Sequence, residues 1–141
     1  MHMTKRIKQY CWALGLIVAS YAHADHAVIV NPKNTASIGK EDVAKLFLGK
    51  TTKFPDGQLA IPINQPESSP TRAEFGEVLL GKTPSQMKSY WSRLIFTGKA
   101  VPIKEVQDDA EVVELVSGNP DAIGYVDSGN VGNGVKVLFT Y

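Results

Sequence analysis

A serine-rich turn in the middle of the chain contains the side chains most suited to binding a small anion. Ser68, Ser69 and Thr71 supply hydroxyl groups, and Arg72 supplies a positive charge. Pro70 is typical of the first position of a helix, so we expect a helix to begin here. The start of a helix presents unpaired N–H groups and a partial positive charge. This chemistry suits a phosphate-like oxyanion.

The same turn also has a purely structural interpretation. Serine is among the residues preferred at the cap of a helix, and Ser69 directly precedes Pro70. These residues could therefore serve only to begin a helix. The local sequence leaves both interpretations open.

The first residues have the pattern of an export signal. Lys5, Arg6 and Lys8 precede an apolar run over residues 11–22, and the small residues around His23 fit a cleavage site. We therefore predict a signal peptide over 1–24, cleaved after Ala24, and a periplasmic location. The apolar run is too short to span a membrane, so we expect no membrane insertion after cleavage.

Residues 25–141 are long enough for one domain with its own core. This part has 12 Lys and Arg residues against 14 Asp and Glu residues, and such a balance does not predict a nucleic-acid partner. The single cysteine, Cys11, lies before Ala24. Disulfides and cysteine-based metal sites are therefore excluded for the exported chain.

Little in residues 25–141 suits catalysis or a cofactor. His26 is the one histidine, and a position near a chain end is poor for a catalytic base or a metal ligand. Acidic residues such as Glu67, Asp108 and Asp109 are common in turns and in first helical turns. We therefore expect a protein that is not an enzyme and that uses neither a cofactor nor a metal.

Predicted strands and helices alternate along the chain. Apolar runs and turn residues predict strands at 26–30, 60–63, 101–106, 122–126 and 135–139, and helices at 40–48, 70–80, 83–96 and 108–118. This alternation predicts an α/β domain that has a mainly parallel sheet with helices on both faces. An apolar and aromatic stripe in the third helix, including Tyr90 and Trp91, is expected to face the core.

Ligands of such sheets bind beyond the carboxyl ends of the strands. Three loops follow predicted strands. They begin at Asn31, at Asn64 and at Asp127. We therefore expect Asn31 to lie beside the serine-rich turn.

Six short motifs follow one another in order through residues 25–141. They are Val-Ala-Lys-Leu-Phe-Leu-Gly-Lys at 43–50, Phe-Pro-Asp-Gly at 54–57, Ile-Pro-Ile at 61–63, Ser-Pro-Thr-Arg at 69–72, Tyr-Trp at 90–91 and Asn-Pro-Asp-Ala-Ile-Gly-Tyr-Val at 119–126. As a set, they resemble the phosphate-binding component of bacterial ABC transporters.

The resemblance implies a fold of the periplasmic binding protein type, in which two lobes enclose phosphate. That family carries an Arg-x-x-x-Ser-Gly-Thr motif, to which Ser69 and Thr71 correspond. Gln65 stands in place of the arginine, and Pro70 stands in place of the glycine. Glutamine loses the charge, and proline has no N–H to donate. Residues 25–141 have the length of a single lobe, so tight capture would need a second copy or a partner protein.

The resemblance and the turn together favour an exported protein that binds phosphate or a similar oxyanion without covalent chemistry. The expected ligand-binding residues are Gln65, Ser68, Ser69, Thr71 and Arg72, with Asn31 beside them. The alternative is an interaction module that keeps the fold, has little affinity for anions and uses the former cleft face to dock another envelope protein.

Overall fold

The computed structural model describes residues 25–141; the predicted signal peptide lies outside the described residues. Strands β1 to β5 comprise His26–Val30, Ile61–Asn64, Lys104–Glu105, Ala122–Asp127 and Lys136–Thr140. Helices α1 to α4 comprise Lys40–Phe47, Pro70–Leu79, Pro84–Phe96 and Asp109–Gly118. None of the helices in this part of the chain is long and apolar enough to cross a membrane.

The five strands form one sheet in the order β3-β2-β4-β1-β5. Strand β2 pairs in parallel with β3 and with β4, whereas β1 is antiparallel to both β4 and β5. Four strands therefore run in one direction and β1 runs against them. The predicted α/β lobe with a mainly parallel sheet is confirmed, and β1 is the exception.

The reversed β1 overturns one expectation for the site. Because β1 is antiparallel to β4, the carboxyl end of β1 pairs with the start of β4, as Val30 does with Ile123. The loop that begins at Asn31 therefore lies at the opposite edge of the sheet from the loop that follows Asn64. The prediction that Asn31 lies beside the serine-rich turn was wrong.

Successive strand residues point to opposite faces of the sheet, and helices cover both faces. On one face, Val28, Val30, Ile123 and Tyr125 pack with Val43, Leu46 and Phe47 of α1 and with Phe75 of α2. On the other face, Ala27, Ile29, Ile63 and Val126 pack with Val112 and Val116 of α4. Within the described residues, these two clusters form a core on both faces of the sheet.

Three aromatic rings join α1, α2 and β4 on the first face. The Phe75 ring stacks on Tyr125 with centroids 4.0 Å apart, and it meets Phe47 edge-on at 4.7 Å. Aromatic pairs in such geometries stabilise a core beyond their buried area. This contact holds the first turns of α2 against the end of the sheet.

Helix α3 differs from the other three helices because none of its residues is buried. Tyr90 and Trp91 are half-buried, and Ile95 is exposed. The prediction that its apolar stripe faces the core is confirmed only in part. The stripe turns towards the lobe, since the Tyr90 hydroxyl donates to the Leu48 carbonyl at 2.6 Å and Trp91 lies against Gly49, but its residues are no more than half-buried.

Candidate functional site

Helices α2 and α4 begin side by side, at the edge of the sheet where β2 and β4 end. An open polar cavity of about 620 Å³ lies between the two helix starts. Its lining includes Gln65, Ser68, Ser69, Asp108, Asp109 and Asn130. Two helix N-termini therefore meet at the edge where ligands of α/β sheets bind.

Gln65 is the centre of the hydrogen bonds at this edge, and its side chain is buried. Its amide nitrogen donates to Asp109 Oδ1 at 2.6 Å and to the carbonyl of Tyr125 at 3.0 Å. Its amide oxygen accepts a hydrogen bond from Ser69 Oγ at 2.8 Å. Gln65 thus connects the serine-rich turn to α4 and β4, and it could bind a ligand only by giving up one of these contacts.

Asp109, in the first turn of α4, accepts hydrogen bonds from three donors. In addition to the Gln65 amide, its Oδ2 accepts from the Asp127 N–H at 3.0 Å and from Asn130 Nδ2 at 2.8 Å. Convergent N–H donors near a helix start are the usual surroundings of a bound oxyanion. In this chain, the Asp109 carboxylate occupies the position that a bound oxyanion would take.

The Tyr125 phenol is hydrogen-bonded to the residues that lead into the serine-rich turn. Its hydroxyl donates to Asn64 Oδ1, and it accepts a hydrogen bond from the Gln65 N–H at 3.2 Å. Burial raises the pKa of this phenol well above its usual value, so the hydroxyl remains protonated. The turn is therefore anchored by a neutral donor that belongs to the aromatic cluster of the core.

The hydroxyls of the serine-rich turn fall into two groups. Ser69 caps α2: its Oγ accepts a hydrogen bond from the Arg72 N–H at 3.2 Å while it donates to Gln65. Ser68 is exposed and faces the cavity. Among residues 25–141, neither the Ser68 hydroxyl nor the Thr71 hydroxyl has a hydrogen-bond partner. These two hydroxyls are therefore available to a ligand, but Thr71 does not line the cavity.

Arg72 faces away from this cavity. Its Nη1 donates to the Gln65 carbonyl at 2.7 Å and to Glu105 Oε1 at 2.6 Å, which is the one ion pair among the described residues. Its side chain lines a separate cavity of about 280 Å³ between α2 and α3, together with Lys82 and Lys88. The structure therefore does not bring the Arg72 charge to Ser68 and Ser69.

Asn31 has a structural role at the far end of α4. Its buried Nδ2 donates to the carbonyls of Val116 and Ser117, both at 2.9 Å, and its Oδ1 accepts from the Lys33 N–H. The last carbonyls of a helix have no partner within the helix, so Asn31 supplies one. Asn31 is therefore separated from the serine-rich turn by the length of α4.

Sequence reasoning missed the part that Asp109 and Asn130 have in this site. Asp109 is recognisable as an acid in a first helical turn, where it favours the helix dipole. Its contact with Gln65 joins residues 44 positions apart and depends on the pairing of β2 with β4. The expectation that the loop at Asp127 lies at this edge is confirmed by its contact with Asp109.

His26 and the acidic residues form no metal site in the described part of the chain. Within residues 25–141, no group of three or more His, Cys, Asp or Glu side chains is arranged to hold an ion. The His26 ring stacks on Tyr141 with centroids 5.5 Å apart, which accounts for its position.

Comparison with solved structures places this architecture among phosphate-transport proteins. A phosphate transport receptor from Vibrio cholerae has a TM-score of 0.62 and 22% identity, and the match covers 80% of this chain and 44% of the receptor. A putative phosphate ABC transporter substrate-binding protein with bound phosphate, from Clostridium perfringens, has a TM-score of 0.62 and 18% identity, with coverage of 80% and 43%.

PstS from Borrelia burgdorferi gives a similar result, with a TM-score of 0.61, 22% identity and coverage of 83% of this chain and 48% of PstS. No protein-family model and no curated protein sequence matches the chain. The likeness is therefore one of fold. The chain has the fold of one lobe of the phosphate-transport binding proteins, and it spans less than half the length of each of these three.

Proposed function

We propose that this chain is an exported binding protein that holds phosphate or a similar oxyanion, weakly and without covalent chemistry, where α2 and α4 begin. One observation carries the proposal: two helix N-termini and the free Ser68 hydroxyl meet at one open cavity. This cavity lies at the edge of the sheet expected to bind ligands. The phosphate named in the descriptions of the solved neighbours agrees with this choice of ligand.

Two features of the cavity predict weak binding. It is open to solvent on one side, and charge interactions in contact with water are screened. In addition, Asp108 and Asp109 bring negative charge to its wall. A phosphate that retains a proton could donate to one of these carboxylates, whereas sulfate at neutral pH has no proton to donate. We therefore expect phosphate to bind more tightly than sulfate.

Calorimetry on residues 25–141 with phosphate and with sulfate tests the proposal. We expect measurable phosphate binding in the millimolar range, which Ser68→Ala weakens. Ser68 is preferable to Ser69 as the position to change because Ser69→Ala also removes a helix cap that contributes about 1 kcal/mol. Ser85→Ala is the matched control, since Ser85 is an exposed serine in the first turn of α3 and lines a different cavity.

Replacing the Asp109 carboxylate, which already accepts the donors of the cavity, provides a second part of the calorimetry experiment. Asp109→Asn removes a negative charge from the cavity wall and frees donors that now face the carboxylate. We expect this variant to bind phosphate more tightly than the parent. If neither the parent nor Asp109→Asn shows heat or a thermal shift at millimolar phosphate, the anion-binding proposal is wrong.

A second candidate function is docking of another envelope protein on the same edge, with little anion affinity. It is favoured by the state of the polar groups, because Gln65, Ser69 and Asp109 already satisfy one another. A pull-down from the periplasm would show whether a stable partner is recovered without phosphate. A partner that is recovered by the parent and lost on Ser68→Arg would favour this alternative.

The export step has its own test. Residues 1–24 are proposed to be removed after Ala24, which would leave Asp25 as the first residue of a periplasmic protein. Mass spectrometry of the protein recovered from the periplasm measures this directly. A full-length chain that remains in the cytoplasm would contradict the proposed location.

A further inference from the structure

Charge is strongly segregated along the second half of the chain. Residues 82–104 contain five cations and no Asp or Glu, namely Lys82, Lys88, Arg93, Lys99 and Lys104. Residues 105–135 contain seven acids and no Lys or Arg. The first segment comprises α3 and the approach to β3, and the second comprises α4, β4 and the loop after β4. Lys88 and Arg93 lie on α3, and the other three cations flank it in the sequence.

The same part of the molecule exposes large apolar side chains. Phe96 is 93% exposed, Val101 is 82% exposed and Leu59 is 53% exposed. Leu59 and Val101 line a cavity of about 430 Å³ with Trp91, at the side of α3. Leu59 and Val101 thus share one apolar cavity, and large exposed apolar patches mark interaction sites. We call Leu59, Ile95, Phe96, Val101 and the five cations of residues 82–104 the basic–apolar surface.

The turn after α3 is exposed to solvent from Phe96 to Lys99. Phe96 is the last residue of α3, and the turn continues through Gly98, which has a φ of +69°. A Cβ placed on Gly98 would meet no atom within 4 Å, so open space surrounds this turn. Lys99 lies between Phe96 and Val101 in the sequence. Two protruding apolar side chains are thus accompanied by positive charge.

We propose that the basic–apolar surface binds the surface of an anionic phospholipid bilayer. Cations close to negatively charged lipids each contribute to binding, and exposed aromatic and aliphatic side chains enter the boundary between headgroups and acyl chains. A bilayer offers a negative layer over an apolar one, which matches the presence of Lys99 and Lys104 beside Val101 at one cavity. The chain would lie on the membrane without spanning it.

A second copy of the chain fits this surface less well. A two-fold dimer through it would place like charges, such as Lys99 and Lys104 of each copy, near one another. A head-to-tail contact with the acidic segment would satisfy the charges, but residues 105–135 contain none of the highly exposed large apolar side chains. Phe96 and Val101 would then remain unmatched. The combination of charge and apolar exposure therefore favours lipid.

Flotation of residues 25–141 with phospholipid vesicles tests this inference. We expect binding to vesicles of phosphatidylglycerol and phosphatidylcholine in equal parts at low salt, and little binding to phosphatidylcholine alone. Binding should fall steeply as salt is raised, because salt screens charges at the surface. Emission of Trp91, the one tryptophan of this segment, should shift to the blue on binding.

Variants with equal changes in net charge distinguish the effect of the basic–apolar surface from the effect of overall charge. Lys99→Glu with Lys104→Glu should weaken vesicle binding roughly tenfold or more. Lys33→Glu with Lys40→Glu changes the net charge equally at exposed sites outside residues 82–104, and it should have little effect. Phe96→Ser should also weaken binding, whereas Val78→Ser, at an exposed valine of α2, should not.

Three results would overturn the inference. The first is no binding to anionic vesicles at low salt, which would leave a protein partner for this surface. The second is equal binding to neutral and anionic vesicles. The third is an equal loss of binding in the Lys33 and Lys40 control. Thermal unfolding of each variant confirms that it is folded, and phosphate calorimetry on the same samples tests the proposed function separately.

Discussion

Helices α3 and α4 have similar sequence signals and different surroundings. Both begin with a capping side chain, Thr83 for α3 and Asp108 for α4, and both carry apolar residues at helical spacing. In α4, Val112 and Val116 are fully buried against the sheet. In α3, which is longer by three residues, no side chain is buried. A helical apolar stripe therefore predicts which side of a helix turns towards the protein, but it does not predict how deeply that side is buried.

The charged residues of α3 and α4 also differ in how many contacts they make with the rest of the protein. The acids of α4 take part in internal contacts, since Asp108 caps the helix and Asp109 holds the serine-rich turn. The cations of the α3 segment have few partners: Lys82 lies over the Tyr90 ring, and Lys88 has no hydrogen bond or ion pair within the described residues. The acids of α4 thus contribute to contacts within the lobe, whereas the cations of the α3 segment make few such contacts.

The largest expected difference between the two regions comes from one substitution made in both. Val112→Asp places a carboxylate in the fully buried interface of α4, and an uncompensated buried charge costs about 3–5 kcal/mol. Val101→Asp places the same group on the exposed turn after α3, where we expect a change within about 0.5 kcal/mol. Urea unfolding measures both, and similar losses would mean that the α3 region is packed as tightly as α4.

The second-largest expected effect is a loss of stability at high pH, and it comes from the phenols of Tyr125 and Tyr141. Burial raises the pKa of Tyr125 and of Tyr141 above the ordinary value of about 10. As pH rises, the unfolded chain loses these protons first. Their contribution to stability is therefore complete below about pH 10 and is lost above it, at up to about 2.7 kcal/mol per pH unit for the two together.

Unfolding at alkaline pH, followed by two probes, tests this contribution of Tyr125 and Tyr141 to stability. It also tests whether α3 unfolds separately from the rest of the lobe. Circular dichroism reports the whole fold, and Trp91 emission reports α3. Tyr141→Phe should roughly halve the slope, and it should not destabilise the protein at neutral pH because the buried Tyr141 hydroxyl has no hydrogen-bond partner in the described part of the chain. An unchanged slope in this variant would contradict the assignment.

Local signals in the sequence were sufficient to predict the helices and strands and part of the candidate site. Ser69 followed by Pro70 predicts the start of α2, and the structure shows the Ser69 cap. The spacing of Val112 and Val116 predicts the buried face of α4 correctly. These features depend on neighbours within one helical turn, which is the range over which the sequence pattern is informative.

Features that depend on pairing between distant strands were not predictable. The direction of β1 moved Asn31 to the far edge of the sheet, where it caps the end of α4. The contact of Gln65 with Asp109 and the pairing of Arg72 with Glu105 both join residues more than 30 positions apart. Hydrophobic periodicity gives the type of each element, but it carries no information on strand direction or on long-range polar partners.

A smaller effect tests how closely α4 approaches the sheet. A Cβ on Gly124 of β4 would lie 2.5 Å from Val112 Cγ1, so Gly124→Ala forces the helix away from the strand. Such overpacking costs about 1–3 kcal/mol. Gly118→Ala, at the last residue of α4 with open space around it, is the control and should be neutral or slightly stabilising. Thermal unfolding compares the two, and equal midpoints would mean that α4 can shift without cost.

The smallest effect compares the two helix caps directly. Thr83→Ala and Asp108→Ala each remove a side chain that accepts a hydrogen bond from the first turn, a loss of about 1 kcal/mol. Because α4 is packed on the sheet, Asp108→Ala should lower the midpoint of global unfolding. Because α3 has no buried residue, Thr83→Ala should instead open α3 locally.

Amide hydrogen exchange distinguishes these outcomes. We expect α3 amides to exchange faster than α4 amides in the parent protein, and about fivefold faster still in Thr83→Ala, with little change elsewhere. Anionic vesicles should restore protection to α3 if this helix binds lipid. A Thr83→Ala variant that loses as much global stability as Asp108→Ala would show that α3 unfolds together with the rest of the lobe, and that the half-buried contacts of Tyr90 and Trp91 are enough to couple it.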